Sequence, residues 1–169
     1  SLLRLKKIDK ARALATESNL ITTFQENVSE MILPQFLSEN DLESSISVLN
    51  DWTFSEMPVF EAQEVKDKDI KRQNSSYNEE INKYNALVDK VLQKAISLKD
   101  KAKAKACLIL YKEILVMDKK VEVNKIETEA SKDNHFWEDK EYTYFYDVTF
   151  KKENPARTSA EKKIKETIK

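Results

Sequence analysis

The sequence of 169 residues contains no glycine. Average usage of about 7% would give roughly a dozen. Phosphate-binding loops, dinucleotide-binding turns and nucleophile elbows each need a backbone position that a Cβ atom would obstruct. The composition therefore excludes the P-loop, G-x-G-x-x-G and G-x-S-x-G classes of site. Turns must use Asn, Asp, Ser and the three prolines, which favours a helical fold with few tight reversals.

The remaining composition limits the chemistry further. Hydrophobic residues make up 40% and charged residues 35%, a balance typical of solvated helices around a real core. Cys107 is the single cysteine, so it forms no intramolecular disulfide, and its apolar neighbours predict a buried thiol. No apolar run approaches the 18 or so residues of a membrane span. The amphipathic pattern that starts at Leu2 leaves open that the chain is part of a longer protein.

The N-terminal third shows two amphipathic helical patterns. The first begins near Leu2, and its apolar positions recur every three or four residues until Pro34, which we expect to end it. A second helix is expected to start at Ser38, a suitable N-cap that has Asp41 three residues later. A weaker third helix is expected over residues 59–72. The apolar face predicted for the second helix is formed by Leu42, Ile46, Leu49 and either Trp52 or Thr53.

A heptad pattern occupies the middle of the chain and predicts a long coiled-coil-like helix. Ser76 and Glu79 form a capping box after a run of poor helix formers. We therefore favour a new helix beginning at Tyr77 over a continuous helix from about Val59, and in either case we expect the helix to run to Met117. The seam positions are Ile70, Asn74, Tyr77, Ile81, Tyr84, Val88, Val91, Ala95, Leu98 and Ala102.

The period changes to two near the C-terminus. Residues 141–150 alternate strictly and predict a strand. Residues 120–128 are rich in β-branched residues and are expected to pair with it, although a helix continuing to Ala130 is an alternative. A capping box of Thr158 and Glu161 predicts a short final helix. One face of the predicted strand carries Tyr142, Tyr144, Tyr146, Val148 and Phe150.

These elements predict a mainly α fold. We expect an elongated antiparallel helical hairpin or three-to-four-helix bundle with a small C-terminal β-hairpin. The expected domains are a helical bundle over residues 1–118, which includes the coiled-coil-like helix, and a segment over residues 119–169. That second segment holds the β-hairpin and the short helix and is expected to pack on the bundle.

Charge is unevenly distributed along the sequence. No lysine or arginine lies between Ala13 and Val65, whereas this stretch holds ten acidic residues. One interpretation is that the acidic helices pack antiparallel to the basic stretch Lys90–Lys120. The other is that residues 13–65 present an acidic surface to a basic partner. The sequence leaves both open.

Candidate sites are weak as chemistry and stronger as contact surfaces. His135 is the only histidine and has only loop carboxylates near it in sequence, so we expect no catalytic residue, metal site or cofactor. Aromatic residues cluster near the C-terminus, where Tyr and Trp could supply a rigid contact area or flank an edge strand that pairs with a partner. The candidate partner-binding residues are Trp137, Tyr142, Tyr144, Tyr146, Glu39, Asp41 and Glu43.

Two Tyr-Asn pairs lie seven residues apart, at Tyr77-Asn78 and Tyr84-Asn85, with Ile81 between them. This segment resembles one found in LemA-type helical proteins. It covers nine of the 169 residues, and the Phe-Pro expected downstream is absent. We therefore carry no function over from that family.

The sequence favours a non-enzymatic helical interaction or scaffold module that presents the acidic surface and the aromatic element to a protein partner, which could be basic. Self-association through the helical seam is also compatible with the pattern. The alternative is an extracytoplasmic sensor or ligand-binding bundle, and a third, weaker hypothesis is an enzyme that uses His135. With a pI near 6.0, nucleic-acid binding is not expected. Nothing in the sequence indicates a compartment.

Overall fold

A computed structural model describes the backbone of residues 2–55, 64–129 and 140–168, and the side chains of residues 2–55, 76–127 and 144–168. The chain is mainly α with a C-terminal β-hairpin, as predicted. In order, its elements are α1 (Leu2–Glu17), α2 (Ile21–Asn27), a π-helix (Val28–Ile32), α3 (Leu33–Ser38), α4 (Leu42–Asn50), β1 (Glu64–Lys66), α5 (Asp67–Ser97), α6 (Lys101–Leu108), β2 (Ile114–Glu129), β3 (Lys140–Glu153) and α7 (Pro155–Thr167).

These elements belong to two compact units that alternate along the chain. The helical unit combines the residues up to Ser55 with Ile81–Glu113 and the residues from Asn154 onward. The sheet unit combines the described parts of Glu56–Glu80 and Ile114–Glu153. The predicted domains followed the chain linearly with one boundary after residue 118, whereas the last helix belongs here to the helical unit.

The helical unit is built around the predicted seam of α5. Its members from Ile81 to Ala95 are at most 2% exposed, which confirms the heptad interpretation over this stretch. Tyr84 lies at the centre, where its hydroxyl donates to the Leu49 carbonyl oxygen at 2.9 Å, and Trp52 and Phe54 pack against its ring. Other members of this core include Val28, Leu33, Phe36, Leu42, Val48, Leu92, Ala104, Cys107, Leu110, Tyr111, Ala160 and Ile164.

The first predicted helix is interrupted, but not at Pro34. α1 ends at Glu17, and Asn19 then adopts a positive φ of 56°, a conformation that Asn tolerates better than most residues other than glycine. Pro34 lies in the first turn of α3. A proline inside a helix lacks an N–H and clashes with the carbonyl four residues earlier, and the wider π turn of Val28–Ile32 absorbs that conflict. The prediction that Pro34 ends the helix is wrong.

The start of α4 also differs from the prediction. Ser38 is the last residue of α3, and the N-cap of α4 is Asp41, whose carboxylate accepts from the Ser44 N–H at 3.1 Å. Asn40 reverses the chain between the two helices with a φ of 58°. The predicted apolar face is confirmed, because Leu42 and Leu49 are buried and Ile46 and Trp52 pack against the same core.

Helix α5 is continuous from Asp67 to Ser97, so the preferred start at Tyr77 is wrong. Extending a formed helix adds one hydrogen bond for each residue that is fixed, which offsets the low helix propensity of the residues before Tyr77. The expected continuation to Met117 is also wrong. Lys99 has a φ of 56°, and Asp100 caps the separate helix α6 by accepting from the Lys103 N–H at 3.1 Å.

The sheet unit contains the predicted hairpin, and the alternative of a helix continuing to Ala130 is wrong. β2 pairs antiparallel with β3, while β1 pairs with the opposite side of β3, giving the order β1-β3-β2. The register shifts at Asp118 and Val123, where β2 has one extra residue. The predicted alternation is confirmed, because Val148 is buried beneath Tyr146 and Phe150 while Asp147 and Thr149 are exposed.

The final helix begins earlier than its sequence signal predicted. Asn154 is the N-cap of α7, accepting from the Arg157 N–H at 3.1 Å, and Pro155 fits the first turn, where an N–H is not needed. The Thr158 hydroxyl donates to the Asn154 carbonyl oxygen and therefore does not cap the helix. Asn154 also donates from Nδ2 to the Tyr111 carbonyl oxygen at 3.1 Å.

The two asparagines of the Tyr-Asn repeat bind the main chain in the same way. In the helical unit, Asn85 donates from Nδ2 to the Lys112 carbonyl oxygen at 3.0 Å and accepts the Lys112 N–H at 2.9 Å. In the sheet unit, Asn78 donates to the Leu115 carbonyl oxygen at 2.8 Å and accepts the Leu115 N–H at 2.9 Å. Each amide side chain thus supplies the donor and the acceptor that a neighbouring strand would supply.

We expect Asn85→Asp to destabilise the helical unit by about 1 to 3 kcal/mol, because a carboxylate accepts from the Lys112 N–H but faces its carbonyl oxygen with no proton to donate. Asn82 is exposed on the same helix and provides the matched control Asn82→Asp, with an expected effect within about 0.5 kcal/mol. Urea unfolding followed by circular dichroism measures both. Equal effects of the two substitutions would contradict the role given to the Asn85 amide.

Candidate interaction surfaces

Two of the predicted acidic contact residues are bound within the chain. Arg4 on α1 donates from Nη1 to Oε2 of Glu39 at 2.6 Å and to Oδ2 of Asp41 at 3.0 Å, while its guanidinium lies 4.9 Å from the centre of the Phe36 ring. The hydrogen bond from Arg4 lowers the pKa of the Glu39 carboxyl. These carboxylates therefore connect α1 with the α3–α4 turn.

Asp41 combines this pairing with its capping role. Burial opposes ionisation of its carboxyl, but the hydrogen bonds from Ser44 and Arg4 outweigh burial and lower the pKa. A second arginine acts similarly, since Arg12 donates from Nη1 to Asp51 at 3.5 Å and from Nη2 to the Val48 carbonyl oxygen at 2.9 Å. The basic partner of these carboxylates is α1, not the stretch Lys90–Lys120.

Glu39 and Glu43 are both exposed, but Glu43 is not one of the carboxylates that Arg4 binds. Glu43 lies in the first turn of α4, where a negative charge also stabilises the positive end of the helix dipole. Of the seven acidic residues in the stretch 13–65 whose side chains the structure describes, all except Asp41 are exposed.

Two of the aromatic candidates, Tyr144 and Tyr146, have described side chains in β3. Tyr144 is 38% exposed, with Nζ of Lys125 5.4 Å from its ring centre. Tyr146 is half-buried against Val148, with Nζ of Lys120 3.9 Å from its ring centre. The Tyr142 backbone lies in β3 opposite Glu127. The Tyr142 side chain, Trp137 and His135 lie outside the described residues.

The outer strand β2 forms an exposed surface that contains none of the predicted contact residues. In the sheet formed by the described strands, β2 has a single neighbour, β3. Every side chain from Met117 to Glu127 is exposed, and the β-branched Val121, Val123 and Ile126 are 41 to 47% exposed. The sequence signal was present in the alternation of these residues with Lys and Glu.

A groove lies on the helical unit. It has a volume of about 410 Å³, a size that suits a small molecule. Its lining combines apolar side chains with the two cationic side chains of Arg4 and Lys7. The lining residues are Leu3, Arg4, Lys7, Ile8, Ile32, Gln35 and Phe36.

Reactive and metal-binding groups are not assembled in the described part of the chain. Cys107 is fully buried, and burial raises the pKa of its thiol to about 12, so the reactive thiolate is scarce at neutral pH. Among the described side chains of residues 2–55, 76–127 and 144–168, no group of three from His, Cys, Asp or Glu is placed to hold a metal ion. Nor do these ranges contain a helix with the length and apolarity of a membrane span.

Comparison with known proteins adds no assignment. The chain matches no family model, no curated protein and no solved structure.

We expect the Asp41 carboxylate to stabilise the fold in a pH-dependent way. Its pKa is lowered in the folded state, so its charge contributes stability above its ordinary pKa of 3.8, and this contribution is lost as the pH falls through the folded-state value. Asp41→Ala removes both cap and charge and is expected to cost about 0.5 to 2 kcal/mol at pH 7.

Asp41→Asn separates the two contributions, because asparagine is also a good N-cap but carries no charge. We expect this variant to be less stable than the native chain at pH 7 and to approach it at pH 3 in urea unfolding experiments. An identical deficit at both pH values would show that the charge of Asp41 contributes nothing.

Proposed function

We propose that this chain is a non-enzymatic protein interaction or scaffold module whose contact surface is the β2–β3 hairpin. One observation carries the proposal: an edge strand of 16 residues keeps its side chains exposed from Met117 to Glu127. Tyr144 of β3 lies opposite Lys125 and extends the same surface with an exposed aromatic ring.

The physical argument concerns what an outer strand does with its main chain. Its outward N–H and C=O groups offer a ladder to an added strand, and the alternate side chains select which strand fits. Lysines and bulges on such an edge suppress indiscriminate pairing. β2 has Lys119, Lys120 and Lys125 and bulges at Asp118 and Val123, so the design favours a selected partner over aggregation.

The acidic surface has a supporting role in this proposal. Glu39 and Asp41 are bound to Arg4, whereas Glu43 is exposed and is not one of the carboxylates that Arg4 binds. Exposed carboxylates of residues 13–65 would accelerate encounter with a basic partner without fixing its pose. We therefore expect salt to slow association more than it weakens the final complex.

Site-specific photo-crosslinking tests the proposal. A benzoylphenylalanine replacing Tyr144 in the full protein, expressed in its native cells, is expected to give discrete adducts. The matched control replaces Met31, which is 67% exposed in the helical unit and outside the proposed surface. We expect Val121→Lys combined with Ile126→Lys to remove the Tyr144 adducts.

Two results of this experiment would contradict the proposal. If the Tyr144 and Met31 positions give the same adducts, the hairpin is not the contact surface. If adducts survive both lysine substitutions, which lie on the sheet face opposite to Tyr144, the outer edge of β2 is not the contact surface. Circular dichroism of the substituted chain shows whether it remains folded, so that a loss of adducts is attributable to the surface.

The groove in the helical unit favours the second candidate, a ligand-binding bundle. A groove lined by apolar side chains and by Lys7 fits a small molecule that has an apolar chain and a carboxylate. In that case octanoate is expected to raise the melting temperature in a concentration-dependent manner, and Lys7→Glu should abolish the shift, whereas Lys6→Glu, at the exposed neighbouring position, should not. No shift with millimolar octanoate would count against this candidate.

A further inference from the structure

Strand β2 contains the same charge pattern twice. Lys120-Val121-Glu122 and Lys125-Ile126-Glu127 each place a β-branched apolar residue between a lysine and a glutamate. All six side chains are exposed, and all belong to the sheet unit. A lysine alone is enough to protect an edge, and the glutamate two residues later adds a sign pattern that can match the charges of a second strand.

Such a triplet is complementary to an antiparallel copy of itself. When two identical strands pair antiparallel around a twofold axis through the central residue, that residue faces its own copy, and the lysine of each strand faces the glutamate of the other. Opposite charges that face each other across antiparallel strands stabilise the pair, and like charges destabilise it. A twofold interface needs this kind of self-complementary segment.

The register of β2 against β3 supports this pairing, because it fixes which side chains share a face. Lys125 lies opposite Tyr144 and Glu127 opposite Tyr142, so both charged residues lie on one face of the sheet. Ile126 lies opposite Thr143 and is on the other face. An added antiparallel copy would therefore meet lysine with glutamate on one face and isoleucine with isoleucine on the other.

The positions of the bulges distinguish the two triplets. Val121 lies between the extra residues Asp118 and Val123, which interrupt the ladder on both sides of the first triplet. From Asn124 to Glu129 the pairing with β3 is regular, residue by residue. The Ile126 triplet is thus the one with an undistorted edge on which a second strand can form a continuous ladder.

We propose that β2 pairs antiparallel with β2 of a second copy of this chain, with Ile126 on the twofold axis, so that two three-stranded sheets join into one. The proposal rests on the proposed function, since it names the partner of the same edge. In the joined sheet each Lys125 has the Tyr144 ring on one side and Glu127 of the second copy on the other.

Charge exchange across the axis tests the pairing. Glu127→Lys leaves lysine facing lysine in both pairs, and Lys125→Glu leaves glutamate facing glutamate. Each variant alone is expected to raise the dimer dissociation constant by about tenfold or more, measured by sedimentation equilibrium. Mixing the two variants restores the opposite charges, and we expect a heterodimer with an affinity within a few-fold of the native dimer.

The first triplet provides the matched controls. Glu122→Lys and Lys120→Glu make the same changes on the same strand but away from the axis, and we expect less than a threefold effect from either. Circular dichroism of every variant verifies that the hairpin is folded. A dimer that resists both charge changes at the second triplet, or a mixture that stays monomeric when each variant alone is monomeric, overturns the proposal.

A short bismaleimide crosslinker then locates the axis. In a Cys107→Ala background, Ile126→Cys is expected to crosslink to its own copy at low protein concentration, and Val121→Cys is not. Preferential crosslinking at Val121 overturns the assigned axis. A native chain that is monomeric at several hundred micromolar overturns self-pairing altogether, whereas specific Tyr144 adducts to a different protein would in that event still support the interaction module.

Discussion

Two asparagine side chains on α5 make the hydrogen bonds that a neighbouring strand would make with its backbone. Asn85 binds the backbone N–H and C=O of Lys112, and Asn78 binds the backbone N–H and C=O of Leu115. A buried main-chain group that lacks a partner costs about as much as a lost hydrogen bond, so a segment that leaves a helix and becomes an outer strand needs such partners. The start of β2 depends on these hydrogen bonds from Asn78 and Asn85. The position of β2 in turn determines which of its side chains face solvent.

The sequence predicted the features that follow from periodicity. The heptad pattern identified the buried residues from Ile81 to Ala95, and the alternation in residues 141–150 identified the strand and its buried face. Both signals are strong because burial acts on every second or every third and fourth residue over a long stretch. The single-residue signals were less reliable. Ser38 and Thr158 have suitable capping chemistry, but Asp41 and Asn154 perform it, because cap selection depends on where the chain reverses.

Chain reversals without glycine explain several of the incorrect boundaries. Asn19, Asn40 and Lys99 all adopt positive φ values between 56° and 58°, and a lysine gives no sequence signal for such a position. The continuous helix predicted through Lys99 failed for this reason. The predicted contact residues Glu39 and Asp41 show a related limit of prediction from sequence. Sequence alone indicated that Glu39 and Asp41 were acidic, but their pairing with Arg4 joins residues 35 and 37 positions apart. Such pairing becomes visible only in three dimensions.

The division of the helical unit into three chain segments has a consequence for biosynthesis. Its core includes Ala160 and Ile164 of α7, as well as Val48 of α4 and Val88 of α5. The ribosome delivers these positions in chain order, and β2 and β3 lie between α5 and α7. The core therefore closes only after the whole hairpin has been synthesised. Until then the nascent chain exposes an unfinished apolar core beside an extended strand, which is the period when chaperones have the most to bind.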